Sequence, residues 1–123
     1  MSTRSLVLVI DDDESVRESL PDLLAEFGFS VRAFSSAAEF LASECVSQAQ
    51  CLILDIALPG MSGPDLWREM RRQGRDVPTI FITGRASEAV RAALITEGAV
   101  ECLFKPFSDT DLREALDKAF RAK

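Results

Sequence analysis

Five short apolar runs alternate along this chain with five stretches of helical periodicity, and that alternation leaves few folds open. The runs are Leu6–Ile10, residues 29–34, the stretch opening at Cys51, Thr79–Thr83 and residues 100–104. Continuous apolar runs bounded by turn residues suit strands buried on both faces, as in a parallel sheet. Alternating strands and helices require such a sheet, covered on both sides and joined by right-handed crossovers. The second run carries Ser30 and Arg32 and so belongs at an edge. A doubly wound α/β sheet in the order 2-1-3-4-5 fits, with its crevice at the carboxyl ends of strands 1 and 3.

The intervening stretches read as helices. Val16, Leu20, Leu23, Leu24 and Phe27 line one face, with Ser15 and Glu18 as a capping box and Gly28 as the stop. Pro21 interrupts this helix, but the apolar phase continues across it, which predicts one kinked helix. Ser36 with Glu39 opens the second, and residues 44–50 read as a polar loop. Pro64 suits the first turn of the third, which carries Leu66, Trp67 and Met70 and ends near Gly74. The fourth begins at Ser87, with Val90, Ala93 and Leu94 predicted inward, and ends at Gly98. Ser108 and Asp111 start the last, with Leu112, Ala115, Leu116, Ala119 and Phe120 at core spacing.

Composition narrows the function. The chain has 123 residues, room for one domain spanning 1–123, and 47% of them are hydrophobic, enough to build a core. The net charge is −6, which argues against direct nucleic-acid binding, since phosphate contacts need clustered Lys and Arg. The absence of histidine removes Ser-His-Asp and Cys-His catalysis and most zinc sites. Cys45, Cys51 and Cys102 are odd in number and lack paired spacing, so a reducing, cytoplasmic setting is expected. Leu6–Ile10 is too short for a signal peptide or a membrane span.

The chemistry gathers at one edge. Strand 1 delivers Asp11, Asp12 and Asp13, strand 3 delivers Asp55, strand 4 delivers Thr83 and strand 5 leads into Lys105. Singly, each has a duller explanation: a solvated turn, a helix cap, ordinary turn chemistry, a surface lysine. Together they form a constellation. Crowded carboxylates repel one another and resist ionisation, and a divalent cation relieves that repulsion. Magnesium prefers oxygen and takes one or two carboxylates plus waters and a phosphate oxygen. Thr83 offers a hydroxyl donor and Lys105 a compact positive charge for phosphoryl oxygens. An aspartate nucleophile would then form an aspartyl phosphate.

The chain resembles the receiver domains of two-component response regulators over essentially its whole length. The match rests on Ile10–Asp11–Asp12–Asp13, Leu54–Asp55 with Leu58–Pro59–Gly60, Ile82–Thr83–Gly84, and Phe104–Lys105–Pro106–Phe107. Thr83–Gly84, Gly98–Ala99–Val100 and Lys105–Pro106–Phe107 are most similar to regulators with a LuxR-type output domain, as in the nitrogen-fixation regulator family. The resemblance implies a flavodoxin-like (βα)5 receiver in which Asp55 accepts a phosphoryl group from a histidine kinase. It assigns magnesium to Asp11, Asp12, Asp55 and the backbone carbonyl of Ala57. It puts Thr83 and Lys105 on the phosphoryl oxygens and implies a cis Lys105–Pro106 bond. Asp13 matches a position that is commonly acidic without being a strict ligand.

It also implies switching of the face formed by the fourth helix, fifth strand and fifth helix, and a homodimer through the fourth helix and fifth strand on phosphorylation. Two departures stand out. Cys102 occupies the switch position where the family often carries Tyr or Phe, and Phe104 is expected to point elsewhere. Pro21 lies in the helix near which a kinase would dock.

Other functional classes remain in view. An aspartyl-phosphate hydrolase of the haloacid-dehalogenase type usually has a second aspartate two positions after the nucleophile, where this chain has Ala57. A flavin module would need a phosphate loop that three aspartates would repel. With no output domain in this chain, it reads either as a stand-alone phosphotransfer relay or as the input half of a transcriptional regulator.

Overall fold

The computed structural model describes residues 4–121. The chain end at residues 122–123 lies outside them. In chain order the elements are β1 (Leu6–Ile10), α1 (Glu14–Glu26), β2 (Ser30–Phe34), α2 (Ala37–Leu41) and a 3-10 helix (Glu44–Ser47). There follow β3 (Cys51–Asp55), α3 (Gly63–Arg72), β4 (Thr79–Thr83), α4 (Glu88–Glu97), β5 (Glu101–Phe104) and α5 (Asp109–Arg121). The five strands form one sheet in the order β2-β1-β3-β4-β5, and every pairing is parallel. The doubly wound reading holds, with β2 at one edge.

Strand alternation divides the core in two. Val7, Val9, Ile53, Ile80 and Ile82 face one side, where Leu20 and Leu24 of α1 and Leu112, Ala115, Leu116 and Ala119 of α5 cover them. Leu8, Ile10, Leu52, Leu54 and Phe81 face the other, against Phe40 of α2, Leu66, Trp67 and Met70 of α3 and Leu94 of α4. Every residue of β3 and β4 is buried, which is why these strands read as unbroken apolar runs. Trp67 meets Phe81 edge to face at 5.3 Å, fixing α3 over the sheet centre.

Several local expectations need correction. Asp13, not a Ser15–Glu18 box, caps α1: its carboxylate accepts from the Ser15 amide at 2.9 Å and the Ser15 hydroxyl at 2.7 Å. An ionised carboxylate at a helix N-terminus gains from both the free amides and the dipole. Pro21 is accommodated inside a single helix, and Gly28 follows the cap residue Phe27 at φ +98°, a conformation that favours glycine. The expected loop at 44–50 contains the 3-10 helix, seated by the buried Cys45. In α4 the predicted inward set fails: Leu94 is buried, whereas Val90 is 44% exposed and Ala93 is also at the surface. Spacing identifies a helix face, but it does not say how much of that face the sheet can cover.

Candidate functional site

The carboxyl ends of β1, β3, β4 and β5 bring the acids, the threonine and the lysine together. Asp11, just past β1, is fully buried and donates its N–H to the Phe34 carbonyl at 3.0 Å. One carboxylate oxygen accepts the Asp13 amide at 2.9 Å, and the other accepts the Lys105 ammonium at 2.8 Å. Asp55, the last residue of β3, is 6% exposed. Its carboxylate accepts the Ala57 amide at 3.2 Å and lies 3.6 Å from Lys105 Nζ. Asp12 is exposed at the mouth. One ligand oxygen from each of Asp11, Asp12 and Asp55 lies within 4.8 Å of the others.

The electrostatics follow from that crowding. Burial first, and then the charge of Asp11, push Asp55 up to about 6. Burial pulls Lys105 down, but its hydrogen bond to Asp11 and the charges of Asp11, Asp55 and Asp13 outweigh it, so its pKa is raised. The rim is thus an acid cluster with one ammonium inserted into it. Hard oxygen donors at this separation fit a small divalent cation, and Asp11, Asp12 and Asp55 are the residues that would hold it.

Thr83, the last residue of β4, is buried, and its hydroxyl is engaged locally. It accepts the Arg85 amide at 3.1 Å and donates to the Arg85 carbonyl at 3.4 Å. Ala57 is exposed, and its side chain is a single methyl. The Lys105–Pro106 peptide is cis, as the resemblance implied.

Cys102 is buried in the core beneath α4, with burial pushing its thiol up to about 11. Phe104 packs against that same core, correcting the expectation that it points elsewhere. Residues two apart on a strand share a face. Phe104 is also the register partner of Thr83 across β4 and β5.

Other residues around the site carry no sequence motif. Arg17 of α1 donates to the Asp11 carbonyl at 3.1 Å, a contact that only the folded β1–α1 turn creates. Glu101 accepts from Arg91 at 2.8 Å and Lys118 at 3.2 Å, tying α4 and α5 to β5.

With this geometry in place, comparison with known proteins settles the family. Residues 7–117 match the model of the response regulator receiver domain. The chain belongs to that family. Nodulation protein W of Bradyrhizobium diazoefficiens is 42% identical over 115 residues, covering 94% of this chain and 51% of the relative. Response regulator protein TodT of Pseudomonas putida is 39% identical over 122 residues, covering 98% and 54%. The receiver therefore spans about half the length of these curated relatives. Among solved structures, FixJ-N superposes with a TM-score of 0.85 at 33% identity, covering 99% of this chain and 98% of the other. No helix among the described residues of this receiver is long and apolar enough to cross a membrane.

Proposed function

We propose that this receiver is a magnesium-dependent phosphorylation switch with Asp55 as the acceptor. The convergence of Asp11, Asp12 and Asp55 within 4.8 Å, beside the Lys105 ammonium, is the observation that carries the reading. A magnesium ion bound there would supply positive charge to the oxygens of the transferred group. The Ala57 carbonyl is proposed as a further ligand.

A carboxylate oxygen of Asp55 attacks phosphorus while the P–N bond of a kinase phosphohistidine breaks. The electron pair leaves on the imidazole nitrogen, which takes a proton from solvent. Lys105 supplies a second positive charge to the phosphoryl oxygens, where phosphoryl transfer gains much of its rate. The Thr83 hydroxyl turns from the Arg85 carbonyl, its 3.4 Å acceptor, to a phosphoryl oxygen. That rearrangement passes to the α4–β5–α5 face past the buried Cys102.

The partners are a histidine kinase and, after phosphorylation, a second copy docked through α4 and β5. The exposed Val90 and Ile95 support that face. The setting is cytoplasmic, and the chain catalyses only its own phosphorylation and dephosphorylation. A transcriptional output is inferred from relatives such as the transcriptional regulatory protein FixJ of Bradyrhizobium diazoefficiens, 34% identical over 121 residues.

Acetyl phosphate with magnesium should add one phosphoryl group to the protein, measured by intact mass. Asp55→Asn and a chelator should each abolish the addition. An unchanged mass, or addition that survives Asp55→Asn, would overturn the reading.

A further inference from the structure

The Arg17 guanidinium donates to the backbone carbonyl of Asp11 across the turn from β1 into α1. That carbonyl belongs to the planar peptide joining Asp11 to Asp12, so holding its oxygen holds both Cα atoms. These are two of the three acids whose oxygens converge at the rim. Among the described residues Arg17 makes no carboxylate ion pair within 4.0 Å; Lys105 is the cation that engages Asp11 and Asp55. Arg17 therefore stays out of the space between the carboxylates and grips the backbone behind them.

We infer that Arg17 is a positioning residue that presets the Asp11–Asp12 peptide so that both acids face the cation. The inference rests on the magnesium reading above and gives it a device supplied by α1. The Asp13 carboxylate caps that helix and its backbone carbonyl accepts the Arg17 amide at 3.1 Å, so Arg17 joins the helix start to the ligand pair.

The sign of the effect separates this role from simple charge. As a bystander cation, Arg17 would repel magnesium, and removing its charge would tighten binding. As a positioning group, its removal weakens binding, because partners that orient metal ligands are worth about tenfold or more in affinity.

The test is calorimetric titration of the intact protein with magnesium chloride, using Arg17→Met, Arg17→Gln and Arg17→Lys. Arg17→Met and Arg17→Gln should bind about tenfold more weakly. Arg17→Lys, which keeps a donor and the charge, should stay within about threefold of the parent. With acetyl phosphate, the magnesium concentration for half the maximal rate should rise in step, while the rate at saturating magnesium holds within about twofold.

Equal or tighter binding by both neutral variants overturns the inference. So does loss of folding without metal in both, because Arg17 would then serve stability alone. A parent protein that fails to bind magnesium, or an Asp55→Asn variant that binds it unchanged, would instead defeat the magnesium reading itself.

Discussion

Replacing Asp55 with asparagine should make the metal-free protein more stable at neutral pH, although it removes the proposed acceptor. Burial, and then the neighbouring Asp11, lift Asp55 from an ordinary 3.8 to about 6. The unfolded chain therefore releases this proton at lower pH than the folded one. Stability falls as pH rises through that window and is flat above about 6. The gap is worth about 3 kcal/mol once both states are ionised. Asparagine keeps the acceptor for the Ala57 amide but gives up the 3.6 Å approach of Lys105. Together with solvent screening at the mouth, that lowers the expected gain to about 2 kcal/mol at neutral pH.

Urea unfolding in chelator, followed by circular dichroism, measures it. The parent should gain about 1 kcal/mol on going from about pH 7.5 to about pH 5, and Asp55→Asn should lack that gain. Magnesium should reverse the ranking at neutral pH, because it stabilises the parent by mass action. A variant no more stable than the parent in chelator, or one that keeps the same pH slope, would refute the buried-charge account.

Gly63→Ala should cost about 2–3 kcal/mol in urea unfolding and weaken magnesium binding, since a Cβ there would sit 2.2 Å from the Asp55 carbonyl oxygen. Glu101→Gln should cost about 1 kcal/mol near neutral pH by loosening Arg91 and Lys118. Burial pushes Glu101 up, but the Cys102 amide, Lys118 and Arg91 together hold it below its ordinary 4.5. The difference from Glu101→Gln should therefore shrink as pH falls below that value, in melts run across pH. Enlarging exposed Ala57, as in Ala57→Met, should lengthen the aspartyl-phosphate half-life a few-fold by shielding it from water; a half-life that does not lengthen would discard the shielding idea.

The alternation of runs and periodic stretches carried the fold because parallel strands buried on both faces leave a strong apolar signature, as in β3 and β4. The rim residues Asp11, Asp12, Asp55, Thr83 and Lys105 were legible for a topological reason: each ends or follows a strand, and a parallel sheet sends all such ends to one edge. Residues acting through tertiary contact were not legible. Arg17 reads as an exposed helical arginine until the turn brings the Asp11 carbonyl to it. Cys45 looked like part of a polar loop because a 3-10 turn is too short to show a period. Phe104 was expected away from Cys102, although simple strand alternation already places the two on one face.

Helix α4 shows why charge chemistry, and not apolar periodicity, sets what this face can do. Only Leu94 of its residues is buried, so hydrophobic burial holds it weakly. Its C-terminal end is tied instead by two arginines of α3. Arg68 grips the Glu97 carboxylate at 2.7 and 2.9 Å, and Arg71, lying over the Trp67 ring, donates to the Glu97 carbonyl at 2.8 Å. Arg91 adds a hold to β5 through Glu101 and the Cys102 carbonyl. The opposite end begins at Ser87, two residues beyond Arg85, whose backbone holds the Thr83 hydroxyl. On the proposed mechanism, releasing that hydroxyl acts on the end of α4 that lacks the paired arginine hold. On that mechanism the helix pivots about Glu97 once the Arg91 ties to Glu101 and the Cys102 carbonyl are exchanged, and polar ties can be re-formed in a new place at less cost than a packed apolar seam.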